Sequence, residues 1–185
     1  MQSLLTKAKN VKLLVMDVDG VLSDGKIIYD ANSVETKSFN VQDGFGIQRI
    51  HQAGIQTAII TGRTSAIVTH RAKELKITHL VQGREDKLTA LNELLAKIGI
   101  SLAECAYIGD DWPDIKALQS VGFAVAVANA NGEVIKRVDM VTTRSGGEGA
   151  VRELCDLILK ATGHYDDILA SYVCLLYTSP SPRDS

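Results

Sequence analysis

The chain has 185 residues, 45% of them hydrophobic and 23% charged, and its formal net charge is −2. This length suits one domain with a substantial hydrophobic core, and the near-neutral charge excludes the basic surface of nucleic-acid-binding and membrane-surface proteins. The three cysteines match no zinc or disulfide pattern. Residues 1–10 lack the apolar core of a signal peptide, and no apolar run is long enough to span a membrane. We therefore expect a cytoplasmic protein.

The first predicted element is a short buried strand that ends in two aspartates. Residues 11–16 are apolar except for Lys12, which indicates a strand covered on both faces. Asp17 and Asp19 follow it directly, and open α/β sheets bind their ligands just beyond the carboxyl ends of their strands. A plain strand-ending turn also favours Asp and Gly, so the two aspartates alone do not establish a site.

A β-hairpin is predicted soon after this strand. Residues 25–29 and 34–39 are β-prone and flank the turn-forming stretch 30–33. Such a hairpin would project over the carboxyl end of the first strand. Four of its residues are large and apolar: Ile27, Ile28, Val34 and Phe39. Because an isolated two-stranded ribbon is marginal in water, we expect it to pair with hairpins of other subunits.

The rest of the chain alternates strands with helices. Strands are predicted at 55–60, 77–81, 105–108, 123–128 and 140–143. Helices are predicted at 45–53, from 64 or 65 to 75, at 86–98, after Pro113, over 132–138 and from the glycines at 146–149 to 162. This alternation predicts a three-layer, Rossmann-like α/β fold, in which helices cover both faces of a parallel sheet.

One domain accounts for most of the chain. It is predicted to cover residues 8–165, with the hairpin insert at about 26–39 and no large cap domain. Residues 173–185 contain two of the three prolines and show no hydrophobic periodicity. They are predicted to be a foreign or non-domain tail.

Polar groups of complementary kinds lie at the ends of the predicted strands or open the following helix. In chain order they are Asp17 and Asp19, Thr61 and Arg63, Lys87, and Asp110, Asp111 and Asp114. Crowded carboxylates repel one another unless a cation is present, and Mg²⁺ combines one or two carboxylates with phosphate oxygens and water. Lys87 and Thr61 suit the remaining phosphate oxygens, and an aspartate can attack phosphorus while its neighbour moves protons. The pattern predicts magnesium-dependent phosphoryl transfer.

The segments 17–21, 61–63, Lys87 and 109–111 resemble, in order, the four motifs of the phosphatases of the haloacid dehalogenase superfamily. The resemblance implies that Asp17 is the nucleophile and that Asp19 is the acid and base. It also implies a Mg²⁺ site formed by Asp17, the backbone carbonyl of Asp19 and Asp110, with Asp111 and Asp114 in support. Thr61 and Lys87 would bind the phosphate.

Further segments resemble the branch of this superfamily that acts on phosphorylated sugar acids. These segments are 40–44, 78–83 and 146–153. They imply that the substrate is the 8-phosphate of an eight-carbon sugar acid used in bacterial lipopolysaccharide synthesis. They also imply a homotetramer in which a neighbour's C-terminal tail helps to close the site. The substrate-binding residues implied by the resemblance are Asp19, Asn40, Val41, Gln42, Asp43, Gly44, Arg63, Arg71 and Lys87.

Two positions depart from the pattern of this branch. Gln48, which is followed by Arg49, stands where a basic residue is frequent, and Glu148 stands where an arginine is frequent. The departure at Gln48 leaves open a nine-carbon, sialic-type sugar acid 9-phosphate as the substrate. A catalytically idle assembly module of this fold is the other alternative, and the retention of all four motifs argues against it.

Overall fold

A computed structural model describes residues 2–173. The predicted tail over 173–185 lies outside the described residues, apart from Val173 at the end of the last helix. The domain bounds of 8–165 stay a prediction. Helix Gln2–Lys9 and helix Tyr165–Val173 were not predicted from the sequence, and both place apolar residues against the core.

The described strands form one parallel sheet and one separate hairpin. In chain order they are β1 (Leu13–Met16), β2 (Ile28–Tyr29), β3 (Glu35–Thr36), β4 (Gln56–Ile60), β5 (His79–Val81), β6 (Cys105–Gly109), β7 (Phe123–Ala126) and β8 (Met140–Val141). The hairpin joins β2 to β3, and the other strands form a six-stranded sheet in the order β5-β4-β1-β6-β7-β8. The chain first runs outward from β1 through β4 and then returns to β6 on the other side. A crevice at the carboxyl ends of β1 and β6 is the ligand site that this topology favours.

Helices cover both faces of the sheet, which confirms the predicted three-layer α/β fold. They are α1 (Gln2–Lys9), α2 (Val41–Gln52), α3 (Ala66–Glu74), α4 (Lys87–Ile98), α5 (Ile115–Leu118), α6 (Gly132–Ile135), α7 (Ala150–Ala161) and α8 (Tyr165–Val173). Helices α1, α2, α3 and α7 pack on one face, and α4, α5 and α6 on the other. Among the described helices, none has the length and apolar character needed to cross a membrane.

Strand β1 lies at the centre of the sheet and is buried on both faces, as its apolar run predicts. Leu14 and Met16 pack into the core beneath α2 and α7, whereas Leu13 and Val15 pack beneath α4. This double burial fixes the register of the strand. It therefore fixes the place where the chain leaves the sheet, immediately before Asp17.

The hairpin is confirmed, although its strands are two residues long rather than the five or six predicted. Its turn is closed by the Asp30 carboxylate, which accepts hydrogen bonds from the N–H groups of Asn32 and Val34, both at 2.8 Å. Residues Ile28 and Tyr29 of β2 are exposed. The ribbon pairs only with itself among the described residues, so nothing extends its ladder.

Helix α2 begins earlier than predicted, at Val41 rather than at residue 45. The Asn40 side chain accepts a hydrogen bond from the N–H of Gln42 at 2.7 Å and caps the helix. Residues 41–44 therefore form the first helical turn instead of a loop. Helix α7 begins later than the predicted 146–149, because Gly147 and Gly149 have φ values of +72° and +98° that a helix does not allow.

Replacing Leu91 by Ala tests the packing that holds α4, which carries Lys87 at its first position. Leu91 is fully buried against the sheet, so Leu91→Ala should lower the unfolding free energy by about 2–5 kcal/mol. Asn92 is exposed on the same helix, and Asn92→Ala should change it by less than about 0.5 kcal/mol. Urea denaturation of both variants makes the comparison. Equal losses would show that α4 does not depend on this contact.

Candidate active site

A cavity of about 690 Å³ opens at the carboxyl edge of the sheet, beside β1 and β6. Its lining includes all of the polar residues predicted at the strand ends: Asp17, Asp19, Thr61, Arg63, Lys87, Asp110, Asp111 and Asp114. The parallel arrangement thus brings together groups that are up to 97 positions apart in the chain, from Asp17 to Asp114. Glu85 adds a further acidic group to the lining.

The floor of the cavity is a buried ion triad. The Lys87 ammonium lies 3.0 Å from Asp17 Oδ1 and 2.7 Å from Asp114 Oδ1. Each partner comes from a different segment: Asp17 follows β1, Lys87 begins α4, and Asp114 ends the short turn after β6. All three residues are less than one-tenth exposed. The triad therefore links the end of the central strand to the start of α4 and to the loop after β6.

Asp114 organises the loop after β6. Its Oδ1 also accepts a hydrogen bond from the Tyr107 hydroxyl at 2.8 Å, and its Oδ2 accepts the N–H groups of Asp110 at 3.1 Å and Asp111 at 3.4 Å. Tyr107 is fully buried within β6, and sequence reasoning missed it because a tyrosine in an apolar strand looks like an ordinary core residue. With these four donors, Asp114 holds the loop after β6 in place; its supporting role at the metal site stays a prediction.

Asp110 packs against the loop that follows β1. A side chain at Gly20 would overlap the Asp110 carboxylate, and Gly20 has a φ of +92°, so this close approach requires glycine. Asp17, Asp110 and Asp114 each offer a carboxylate oxygen, and these oxygens lie within 4.8 Å of one another. Because Asp114 is already engaged by four donors, Asp17 and Asp110 are the carboxylates that fit a cation.

The charges of this cluster do not balance. Burial, followed by repulsion from Asp114, raises the pKa of Asp17 to about 6, although Lys87 opposes the shift. Burial, followed by repulsion from Asp17 and Asp114, raises the pKa of Asp110 to about 8. Burial disfavours the charge on Lys87, but Asp17 and Asp114 outweigh it and hold the pKa of Lys87 above its ordinary value. One ammonium thus faces three carboxylates, of which Asp17 and Asp114 are buried and Asp110 is partly buried. A divalent cation stabilises such an arrangement.

Asp19 lies at the side of the cavity beneath the hairpin. Its carboxylate forms an ion pair with the Lys37 ammonium, and Lys37 Nζ lies 3.4 Å from Glu35 Oε1. The same Glu35 oxygen lies 2.7 Å from Arg63 Nη2, and Arg63 also pairs with the Tyr29 side chain. Sequence reasoning missed Lys37 and Glu35, because their meeting with Asp19 and Arg63 depends on how the hairpin folds back.

Thr61 occupies the end of β4, where its sequence position predicts it. It is 3% exposed, and its N–H donates to the carbonyl of Val81 at 3.0 Å. Its hydroxyl accepts the N–H of Arg63 at 3.4 Å and lines the cavity. Thr61 therefore keeps a hydroxyl proton available for a ligand.

The predicted sugar-acid ligands at 40–44 and Arg71 form a separate group around the start of α2, and they do not line the cavity. Asn40 caps the helix, and its Nδ2 donates to the carbonyl of Gly147 at 3.3 Å. Val41 is 82% exposed. The Arg71 guanidinium lies against Gly44, which has no room for a side chain there. Their role in substrate binding stays a prediction.

Two members of this group contact the start of helix α7 and the loop before it. The buried Asp43 carboxylate accepts the N–H of Arg152 at 2.7 Å, and burial raises the pKa of Asp43. Gln42 accepts a hydrogen bond from Arg144 Nη1 at 2.6 Å. In this arrangement Asp43 stabilises the start of α7. The departures Gln48 and Glu148 are both exposed.

Comparison with known proteins agrees with this geometry. Residues 75–154 match the family model described as haloacid dehalogenase-like hydrolase. The chain is 49% identical over 163 residues to the 3-deoxy-D-manno-octulosonate 8-phosphate phosphatase KdsC of Escherichia coli (strain K12), covering 88% of this chain and 87% of that protein. It is 48% identical to the same enzyme of Yersinia pestis over 85% of this chain and 84% of that protein.

Solved structures of phosphatases of the same kind are also similar to this chain. The 3-deoxy-D-manno-octulosonate 8-phosphate phosphatase of Moraxella catarrhalis, in complex with magnesium, phosphate and KDO, has a TM-score of 0.92 and 54% identity over 93% of this chain and 99% of that one. The cobalt-bound form of the Haemophilus influenzae phosphatase has a TM-score of 0.86 and 41% identity over 91% of this chain and 99% of that one. The chain therefore belongs to the haloacid dehalogenase-like hydrolases, in the family of the 3-deoxy-D-manno-octulosonate 8-phosphate phosphatases.

Proposed function

We propose that this chain is a magnesium-dependent phosphatase that hydrolyses 3-deoxy-D-manno-octulosonate 8-phosphate to the free sugar acid and phosphate, in lipopolysaccharide precursor synthesis. One observation carries the proposal: Asp17, Lys87 and Asp110 meet in one cluster at the floor of the cavity. The relatives described above act on, or are bound to, the molecules that this cluster suits.

In the first step, Asp17 attacks phosphorus and forms an aspartyl-phosphate. The ammonium of Lys87 and the hydroxyl of Thr61 hold the phosphate oxygens, and Asp19 protonates the departing sugar alkoxide. Asp17, Asp110 and the backbone carbonyl of Asp19 would hold Mg²⁺, which would supply positive charge to offset the charge on the phosphate and on the carboxylates.

In the second step, Asp19 removes a proton from the water that attacks the aspartyl-phosphate. The P–O bond to Asp17 breaks, phosphate leaves, and both aspartates return to their starting states. Asp114 does not touch the substrate. Through Lys87 and the N–H groups of Asp110 and Asp111, it holds the groups that do.

The nine-carbon sugar acid 9-phosphate is the alternative substrate, because the departure at Gln48 remains. Turnover of the eight- and nine-carbon substrates, measured as phosphate release with Mg²⁺ and after chelation, decides between them. We expect faster turnover of the eight-carbon substrate and loss of activity without the metal. Faster turnover of the nine-carbon substrate would show that the eight-carbon assignment is wrong. If neither substrate is turned over in the presence of Mg²⁺, the catalytically idle assembly module becomes the better interpretation.

We also propose a homotetramer in the cytoplasm. Ile27, Ile28, Tyr29 and Val34 are all about half exposed on the hairpin, and pairing of hairpins between subunits would bury them. The free thiols of Cys105 and Cys155 suit a reducing compartment.

The two leading aspartates should differ in what their substitution removes. Asp17→Asn abolishes phosphorylation of the protein, because the nucleophile is lost. Asp19→Asn keeps magnesium binding but loses about 10²–10⁴-fold in turnover of the sugar phosphate. On p-nitrophenyl phosphate it should keep relatively more of the phosphorylation rate, since p-nitrophenolate leaves without a proton. Rapid-quench measurement on both esters tests this, and an equal loss on both would contradict the role of Asp19.

The raised pKa values make metal binding depend on pH. The folded, metal-free protein binds protons at Asp17 and Asp110 more tightly than the unfolded chain, because their pKa values rise from 3.8 to about 6 and about 8. The stability linked to these protons is present below the unfolded pKa and is lost as the pH rises through the folded values. The metal-free protein should therefore have a lower Tm at pH 9 than at pH 6.

Magnesium should reverse this loss, because it competes with the protons for the same oxygens. We expect Mg²⁺ to raise the Tm more at pH 9 than at pH 6. Asp110→Asn is the control: it should flatten the pH dependence and weaken the magnesium effect. An equal Mg²⁺-induced shift at both pH values would contradict the assignment of these carboxylates to the metal.

A further inference from the structure

The hairpin is held beside the cavity by ion pairs and, at its end, by Phe39, which packs against the core. Its free face exposes Ile28 and Tyr29, whereas the Lys37 side chain is 0% exposed and contacts two carboxylates, Asp19 and Glu35. A buried ammonium is costly unless its partners satisfy it. The buried position of Lys37 therefore depends on its contacts with Asp19 and Glu35.

Glu35 joins the cations of this network through a single oxygen. Glu35 Oε1 lies 2.7 Å from Arg63 Nη2 and 3.4 Å from Lys37 Nζ. Arg63 lines the cavity, and so does Asp19, which is the other partner of Lys37. A carboxylate placed between an ammonium and a guanidinium at the edge of the cavity has the surroundings that a bound carboxylate ligand would need.

The substrate carries two anionic groups, a phosphate and the carboxylate of the sugar acid. Among the described residues, the cations that line the cavity are Arg63 and Lys87, against six acidic residues: Asp17, Asp19, Glu85, Asp110, Asp111 and Asp114. Lys87 is committed to the phosphate end by Asp17 and Asp114. The carboxylate of the sugar acid therefore needs a different cation. Arg63 is the one that lines the cavity, and its partner Glu35 also contacts the buried Lys37.

We propose that Lys37 joins Arg63, already implied as a substrate-binding residue by the resemblance, in recognising the carboxylate of the substrate, and that Glu35 is an internal carboxylate that occupies this place until the substrate displaces it. The proposal rests on the proposed function, because it takes the leaving group to be a sugar acid. It makes Lys37 and Glu35 specificity residues: a neutral sugar phosphate carries no carboxylate that could exchange with Glu35.

Two neighbouring substitutions should act in opposite directions. Lys37→Met removes a charge-assisted hydrogen bond to the substrate, so KM for the sugar acid phosphate should rise roughly 10- to 100-fold. Glu35→Gln removes the competing charge, so KM should fall about two- to five-fold. A loss of structure would weaken binding in both variants, and so it cannot produce this pattern.

Inhibition by the free sugar acid measures how tightly its carboxylate binds, without any contribution from phosphoryl transfer. With p-nitrophenyl phosphate as the reporter substrate, the inhibition constant of 3-deoxy-D-manno-octulosonate should rise in Lys37→Met and fall in Glu35→Gln. Lys26→Met is the matched control, since Lys26 lies before the same hairpin, is 74% exposed and pairs with Asp24 at 3.1 Å. It should leave the inhibition constant within about two-fold of wild type, as exposed ion pairs contribute little.

The outcomes separate this proposal from the assignment of the substrate. If both variants shift the inhibition constant in the same direction, or neither shifts it, the carboxylate exchange is wrong while the enzyme keeps its substrate. If the wild-type protein neither hydrolyses the sugar acid phosphate nor is inhibited by the sugar acid, the proposed function itself is wrong. The Glu35→Gln arm decides the matter even if Lys37→Met fails to fold.

Discussion

The contact on which the site depends is the Lys87 ammonium between the carboxylates of Asp17 and Asp114. It joins the central strand, the first residue of α4 and the loop after β6, which are three segments that the sheet brings to one edge. Because the triad is buried, removing any one of the charges would leave the others without compensation. The triad carries one positive and two negative charges, and Asp110 adds a further negative charge beside it. This excess of negative charge suits a divalent cation.

The hairpin completes this site by a different kind of contact. The sheet positions Asp17, Lys87 and Asp110 through a packed apolar core, and such a core holds one arrangement. The hairpin instead meets the edge of the site through ion pairs, in which Lys37 contacts Asp19 and Glu35 contacts Arg63. The floor of the cavity is therefore held by the packed sheet, whereas its edge beside the hairpin is held by ion pairs.

The fold and most of the cavity lining could be predicted from the sequence, because local patterns of residues mark where strands end. The alternation of strands and helices gave the fold, and the polar residues at the strand ends gave the lining of the cavity. Tyr107, Glu35 and Lys37 could not be predicted, since their partners are set by tertiary packing and nothing in the local pattern distinguishes them. The stretch 40–44 was placed before the helix, but Asn40 caps α2 and residues 41–44 form its first turn; its role in substrate binding stays a prediction.

The central claim is that Asp17 is the group that takes the phosphate. It is tested most directly by mixing the protein with the sugar acid phosphate and Mg²⁺, quenching in acid within one turnover, and reducing with borohydride, which converts an aspartyl-phosphate into homoserine. Peptide mass spectrometry should find homoserine at position 17, and the Asp17→Asn variant should yield none. Rapid turnover with no modified residue, or with homoserine at another aspartate, would contradict the account.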